Sequence, residues 1–561
     1  MTPLGCRVIA AVVMLTASLP AVAQVIPGGQ LPGREREQFQ ELPAPRAQPG
    51  GAVISLPSTV APEGAEKITL VLRDVTIVAA TVYDRGHLAA LYQDLLGHPV
   101  TLAAVYDIAK RITAKYGADG YVLSRAIVPP QQLSPKGSVI RIEVIEGYVD
   151  KVEWPAVLAT YRDFFSYYTS RIIADRPTNI RTLERYLLLA GDLPGLKFKN
   201  SLKASANQPG AATLVVEVDQ KPIDVFARID NRGSRARGPY EYFTGMTVNN
   251  PFGKHDAFTL NYAGAFETRE LQYVNPAYRM VLTPEGLTAF VNANYSVGRP
   301  GTPELRLLDY KTRSFMLESG LSYPVIRLRE RNLTVSALWF LSDDRGSIFN
   351  MPDTPPSTHD RQRGVRLRAD ADAADSFGGI NQLNLAYSHG IDGLGSTDNS
   401  NPLATRANGR VDFSKFEATF TRLQPLFGRL SLLVAAYGQY AGSPLLASEL
   451  CGYGGRTFGR AYDPSQLVSD SCLELLGEMR LDLPFEFKGL TQAQLYTYGD
   501  RGWLHNIAPV GLTPVNLDGA SVGGGLRLGW QNVVTADFSV AKAVAGFRDD
   551  WRFFFILTGR Y

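Results

Sequence analysis

From about residue 222 to residue 561 the chain is a succession of short segments in which apolar and polar residues alternate, cut apart by Gly, Asn, Asp and Pro. A period of two sends successive side chains to opposite faces, so each segment reads as a strand with one apolar and one polar face. Residues 257–265 set Phe258, Leu260 and Tyr262 on one face. Leu287, Ala289, Val291, Ala293 and Tyr295 alternate with Thr288, Asn292 and Asn294. Leu481, Leu483, Phe485 and Phe487 alternate with Asp482, Glu486 and Lys488, and Ala536, Phe538 and Val540 with Thr535, Asp537 and Ser539. In residues 551–561, Phe553, Phe555 and Leu557 oppose Arg552, Thr558 and Arg560, with Phe554 and Ile556 blurring the pattern.

A soluble sandwich and a membrane barrel both alternate in this way. Three features favour the barrel. The polar faces carry many charges, as a wet lumen requires; aromatic residues cluster near strand ends; and the last segment closes on Tyr561. Dividing this region by about 16 strands leaves about 21 residues per strand and connection, which suits membrane strands of about 9–11 residues. The expected fold is a membrane β-barrel of about 16 antiparallel strands over 222–561. A 45% hydrophobic composition fits, because only alternate barrel residues face lipid.

The residues before the barrel divide into three materials. Residues 1–23 read as a signal peptide, with Arg7, a short apolar core from 8 to 19, and Ala21-Val22-Ala23 as the cleavage site. Residues 24–66 are rich in Pro, Gly, Gln and Ala, a low-complexity linker with one island at 34–42 suited to two or three helical turns. Such a short helix is marginal in water and needs something to dock against. Residues 67–147 and 148–221 are two small mixed domains of related element order. In the first, strand residues 68–78 precede helical spacing at 87–96. A second helix opens at Thr101, and strands follow at 121–127 and 138–145. In the second, an extended start at 151–154 precedes helices at 161–173 and 180–190 and strands at 196–204 and 211–218. Glu184-Arg185 reads as a solvated helix face, and residues 192–195 as the turn that stops the helix.

Lys and Arg number 57 against 54 Asp and Glu, mixed throughout, so no basic stripe marks a nucleic-acid partner. The six His lie far apart, no metal-ligand spacing or nucleophile constellation stands out, and no phosphate loop is present. Catalysis, a metal and a cofactor are therefore not expected.

Particular strings carry a resemblance. Residues 137–147 (GSVIRIEVIEG) and 183–195 (LERYLLLAGDLPG) resemble parts of the two periplasmic POTRA domains of two-partner secretion outer-membrane transporters, the TpsB (ShlB/FhaC/HecB) family of the Omp85 superfamily. Residues 230–234 (DNRGS) with Gly238 resemble the start of their barrel, and 248–256 (VNNPFGKHD) the second hairpin. Residues 454–464 (GGRTFGRAYDP), with Asp470 and Glu478-Met479-Arg480, resemble their sixth extracellular loop and the strand after it. Residues 496–503 (YTYGDRGW) resemble the strand bearing F-x-D-x-G, and 520–542 the penultimate strands.

This resemblance implies an outer-membrane translocator in a Gram-negative cell. Its POTRA domains would bind an unfolded TpsA-like exoprotein through that client's N-terminal secretion domain, as in hemolysin secretion and activation, without nucleotide hydrolysis. It implies that the sixth loop folds into the lumen and that its tip, Gly459, Arg460, Ala461 and Tyr462, meets an acidic wall residue, here Asp500. Ala461 stands where the family has glycine, and Gly459 where valine is common. Outer-membrane lipid and the barrel assembly machinery are further implied partners, Tyr561 resembling the C-terminal barrel signal. By the same analogy the 34–42 helix plugs the resting pore. The readings left open are an Omp85-type insertase and a passive outer-membrane channel.

Cys451 and Cys472 bracket the tip. Bridging them would close a loop that stabilises by about 3 kcal/mol; two unpaired thiols are the alternative, since one sequence shows no distances.

Overall fold

The computed structural model describes residues 26–39, 41–42, 44–50, 60–205, 208–349, 356–485, 487–508, 513–545 and 550–561. The expected signal peptide lies outside the described residues.

The first small domain runs β1 (Thr69–Val78), α1 (Arg85–Ala89), β2 (Pro99–Thr101), α2 (Leu102–Ala118), β3 (Arg125–Ile127) and β4 (Ser138–Ile145). Its sheet order is β2-β1-β4-β3. Thr101 caps α2, its hydroxyl accepting from the Ala104 N–H at 3.2 Å. Val105, Ile108, Ala109 and Ile112 recur at helical spacing and are fully buried against Leu72, Val75, Ile140 and Ile142 of the sheet. The helix expected over 87–96 is instead one α-turn and a separate 3-10 turn, Gln93–Leu95. Gly97, at φ +79°, then swings the chain back so that Pro99–Thr101 pairs with β1, a strand the sequence pattern did not reveal. The strand expected over 121–127 shrinks to β3.

The second domain runs β5 (Tyr148–Glu153), α3 (Arg162–Ala174), α4 (Ile180–Gly191), β6 (Leu196–Ala204) and β7 (Ala211–Gln220), with sheet order β5-β7-β6. Phe165, Tyr168, Ile172, Leu183, Leu189 and Leu214 form its core, and Leu123 of the first domain enters that same core. Backbone bonds from Ile180 N–H to the Gly120 carbonyl (2.8 Å) and from Thr178 N–H to the Gly147 carbonyl (3.0 Å) stitch the two domains together.

Among the described residues, sixteen antiparallel strands close the barrel. They begin with β8 (Ile223–Asp230), β9 (Glu241–Asn249), β10 (Asp256–Ala265), β11 (Gln272–Val281) and β12 (Thr288–Gly298). After the short α5 (Pro303–Leu307) come β13 (Lys311–Arg327), β14 (Arg331–Ser347), β15 (Thr358–Ala374), β16 (Ile380–Gly390), β17 (Ser414–Pro425) and β18 (Leu430–Ala441). A loop carrying β19 (Cys451–Tyr453) and β20 (Leu467–Ser469) precedes the last wall strands. These are β21 (Ser471–Asp482), β22 (Leu490–Asn506), β23 (Val515–Trp530), β24 (Val534–Ala545) and β25 (Trp551–Arg560). Pairing of β25 with β8, from Ile556 opposite Asp230 to Arg560 opposite Phe226, closes the ring. Tyr561 extends the seam, its N–H donating to the Val225 carbonyl at 2.8 Å. Outward side chains such as Phe258, Leu260, Tyr262, Val291 and Tyr295 are exposed as an apolar belt, while their neighbours point into the lumen. The alternation expected through residue 487 ends earlier. β21 stops at Asp482, Phe485 and Phe487 lie in the following turn, and Phe487 packs on Trp530 with ring centroids 5.9 Å apart.

The second small domain is docked on the barrel rim at three turns. The Tyr161 hydroxyl accepts from Asn250 Nδ2 at 2.5 Å, and Phe164 lies against His255. In the turn after β11, Glu285 accepts from Tyr167 (2.8 Å), Tyr186 (3.0 Å) and Arg185 Nη2 (2.7 Å). Beyond β13, Arg327 makes a two-point pair with Asp192 at 2.7 and 2.8 Å, and the Arg329 N–H donates to Glu184 at 3.3 Å. Glu184, Arg185 and Asp192 are thus interface residues, not the solvated face and bare turn their local sequence suggests.

Burial opposes ionisation of Glu285, yet the bonds from Arg185, Tyr167 and Tyr186 outweigh it and hold its carboxyl below the ordinary range. A depressed carboxyl contributes stability that is present above its unfolded pKa, about 4.3, and lost as pH falls through the depressed value. Protection of the α4 amides in detergent, taken against the intrinsic exchange rate at each pH, should therefore hold from pH 7 to about 4 and fall only below it. Glu285→Gln should raise exchange at pH 7 and flatten that dependence.

Candidate functional site

The loop between β18 and β21 folds into the lumen as a hairpin, β19 pairing antiparallel with β20. Cys451 and Cys472 are joined, with Cα atoms 6.3 Å apart, which fastens β19 to the start of β21.

At the hairpin tip the expected pairing is redistributed. The Arg460 guanidinium reaches Glu478 on β21, Nη1 to Oε2 at 2.5 Å, rather than Asp500. Glu478 is fully buried, and its other oxygen receives Arg480 at 2.7 Å and Arg527 at 2.8 Å. Arg460 also lies 4.5 Å from the Tyr498 ring centre, and Arg232 donates to the Arg460 carbonyl at 2.7 Å. Asp500 holds the tip through its backbone. It accepts from the N–H of Gly459 (3.0 Å) and of Arg460 (3.4 Å), and from the hydroxyls of Tyr453 (2.5 Å) and Ser521 (2.7 Å).

The register explains the exchange. Leu476 lies opposite Asp500 and Glu478 opposite Tyr498, so both acids face the lumen one pair apart on adjacent strands. The nearer wall acid takes the long side chain, and Asp500 takes the N–H groups above it. The signal was present in the sequence, since Glu474, Leu476, Glu478 and Arg480 share the inward face of β21.

The positive φ at the tip belongs to Gly459, at +64°, where a Cβ would lie 2.7 Å from the Gly454 nitrogen. Ala461 carries no such demand, so alanine costs nothing there; it is buried, and its carbonyl accepts from Arg552 at 2.9 Å. The buried Tyr462 hydroxyl bonds to the carbonyl of Ala545 and to the N–H of Ala520 at 3.2 Å. Gly502 and Gly519 leave a slot for the Tyr453 ring, whose atoms would lie 2.4 and 2.6 Å from a Cβ at those positions.

A second element shares the lumen. Residues 26–39, 41–42 and 44–50 run from the far end of the barrel to the rim carrying the small domains. Gln30 bonds Ser234 at 3.2 Å at one end, and the Gln48 N–H bonds the Arg329 carbonyl at 2.9 Å at the other. The expected two or three helical turns over 34–42 are a single five-residue 3-10 helix, Glu35–Phe39, entered through Gly33 at φ +85°. So short a helix depends on its side-chain ties. Arg34, buried, donates to the Leu450 carbonyl (2.5 Å) and to Ser465 (3.0 Å), both in the inward loop. Glu35 pairs with Arg237 at 2.9 Å, and Phe39 sits between Phe243 and Tyr273. Arg456 of the loop joins all three parts, bonding the Gln38 carbonyl at 3.0 Å and both oxygens of Asp230 on the wall at 2.8 Å. Beside the segment lies a cavity of about 610 Å³ walled by charged residues, including Arg36, Glu318, Arg368 and Glu417.

The barrel sequence from 210 to 335 and from 362 to 526 matches the family described as haemolysin secretion/activation protein ShlB/FhaC/HecB, and residues 70–147 match the ShlB-type POTRA domain. The chain belongs to this family.

Among curated relatives, heme/hemopexin transporter protein HuxB of Haemophilus influenzae (strain 86-028NP) is 24% identical over 298 residues, 52% of each chain; the match thus spans about half of that relative. Outer membrane transporter CdiB-2 of Burkholderia pseudomallei is 24% identical over 432 residues, 74% of this chain and 70% of the relative. CdiB from Escherichia coli has the same fold, with a TM-score of 0.69 at 16% identity over 90% of this chain and 94% of that one. This ShlB-type protein accordingly belongs to the TpsB family of outer-membrane transporters, with its POTRA domain, residues 70–147, on the periplasmic side of the barrel.

Two outcomes check the site. Removing one partner of a buried ion pair costs about 3–5 kcal/mol because the other charge is stranded. Glu478→Ala removes the acidic partner of Arg460 and of Arg480 and one of the two that Arg527 has, so it should lower the heat-unfolding midpoint on gel-shift assay more than Asp500→Asn, which keeps one acceptor oxygen for two of its four donors. Non-reducing mass mapping should recover the peptides of Cys451 and Cys472 cross-linked.

Proposed function

We propose that this ShlB-type protein carries an unfolded exoprotein from the periplasm through its barrel to the outside, in the manner of two-partner secretion. The observation that supports this most is the lumen itself. Two chain segments that are not wall strands occupy it: the inward loop, which the Cys451–Cys472 bridge keeps on β21, and the segment that begins at residue 26, which is seated by non-covalent contacts alone and can leave. A periplasmic arm of two POTRA domains docked at the rim supplies a place for a client to arrive.

The edge strands β5 and β6 of the second domain, and β2 and β3 of the first, offer backbone groups to an extended client, which would bind by strand addition. The client would be a TpsA-like exoprotein engaged through its N-terminal secretion domain, and folding outside would supply the drive. Residues 26–50 serve as the resting plug, and the inward loop, pinned by Arg460 and Asp500, as the positioning element of the pore. Lipid contacts the apolar belt, and the barrel assembly machinery reads the strand that ends at Tyr561. Relatives named heme/hemopexin transporter protein and outer membrane transporter support a transport reading.

Arg460→Ala should abolish export of the client to the medium while leaving a heat-modifiable, surface-exposed barrel. Full secretion by that variant would remove the loop from the mechanism. Deleting the gene and comparing secreted proteins should reveal one large missing exoprotein.

A further inference from the structure

On the outward half of the lumen a cavity of about 20 Å³ lies between the plug segment, the wall and the inward loop. That is room for one water-sized particle. Asp344, Ser314, Ser342 and Ser448, whose hydroxyl also accepts from Gln362 at 2.7 Å, line one part of it, and Glu35, Arg36, Met316 and Glu449 are among the rest. Asp344 is 2% exposed and its Oδ2 has no hydrogen-bond partner; Ser342, 4% exposed, likewise has an unpartnered hydroxyl. Asp344 is the register partner of Asp360 across β14 and β15, and both are buried. Asp360 is satisfied by the N–H of Thr405 at 3.1 Å and by its hydroxyl. Among the described residues neither carboxylate has an ion pair. Arg237 is spent on Glu35, and Arg36, at the cavity's edge, turns its guanidinium to the Ser448 carbonyl at 3.2 Å and towards Glu449 at 3.8 Å.

A buried carboxylate without a counter-charge is costly, and an all-oxygen set of one carboxylate and several hydroxyls suits a small hard cation. We propose that Asp344, with the hydroxyls of Ser314, Ser342 and Ser448, holds one divalent cation between the plug and the barrel wall. The three contributors come from three parts of the lumen: Ser314, Ser342 and Asp344 from β13 and β14, Ser448 from the inward loop, and the roof from the plug. Gly33 forms that roof. A Cβ there would lie 2.9 Å from Asp344 Oδ1 and 2.5 Å from the Ser448 Cβ, so only glycine lets the plug backbone close over the site. Binding would therefore fasten plug, loop and wall together, a consequence that rests on the plug reading above, whereas the site itself does not.

The test is a thermal melt of the full chain in detergent with calcium or magnesium chloride against EDTA. The wild type should gain about 3 °C or more with one of the two ions. Asp344→Asn should lose that gain, and Ser342→Ala, which keeps the carboxylate, should need several-fold more ion to reach it. Bilayer conductance with the favoured ion should show fewer openings than with EDTA; an ion-dependent melt without this effect would keep the site and remove its link to the plug. A wild-type melt indifferent to both ions would overturn the proposal. So would an equal gain in Asp344→Asn.

Discussion

The lumen depends on one buried carboxylate. Glu478 gathers Arg460 from the inward loop with Arg480 and Arg527 from the wall, in a place where an unpaired charge of either sign would be expensive. Its neighbour Asp500 takes the backbone of the same tip, so side chain and main chain are held by separate acids. The division lets the loop be pinned in position as well as in charge. With the tip fixed, Tyr453 fills the slot left by Gly502 and Gly519, and the Leu450 carbonyl and Ser465 hydroxyl face the N-terminal segment.

From that fixed loop the plug takes much of its own support. Arg34 reaches Leu450 and Ser465, and Arg456 spans loop, plug and wall. Apolar contacts share the load: Phe39 sits between Phe243 and Tyr273, and Tyr453, Phe458 and Tyr462 of the loop pack with Leu476, Tyr496 and Tyr498 of the wall. At the periplasmic rim the logic is similar. Glu285 and Arg327 fix the second small domain to turns of the barrel, so its edge strands hold a set position relative to the barrel mouth.

The fold class and the family were legible because their signals are local. A period of two survives in almost any barrel strand, and the strings at 454–464 and 496–503 lie in unbroken sequence. What escaped was long-range. Periodicity showed that Glu478 and Asp500 face inward, but not which lies nearer to Arg460, a matter of register between β21 and β22. Glu184-Arg185 looks like a solvated helix face until a turn a hundred residues later supplies Glu285 and closes over it. Phe485 and Phe487 continue the alternation in sequence yet leave the wall, because β21 stops at Asp482 and Phe487 finds Trp530 across the next turn. The helix over 34–42 shortened for a like reason: its conformation is set by Gly33 and the lumen wall more than by its own propensity.

On the function proposed above, the lumen route opens only when the segment that begins at residue 26 leaves it. Gln30 and Ser234 touch across plug and wall, so cysteines placed at both can be cross-linked with the plug in position. Secretion of the client should stop in the cross-linked double variant and proceed in each single variant under the same oxidising conditions, which leave the Cys451–Cys472 bridge in place in all three. Undiminished secretion with the cross-link fully formed would contradict the account, because the client would then be crossing with the plug still seated.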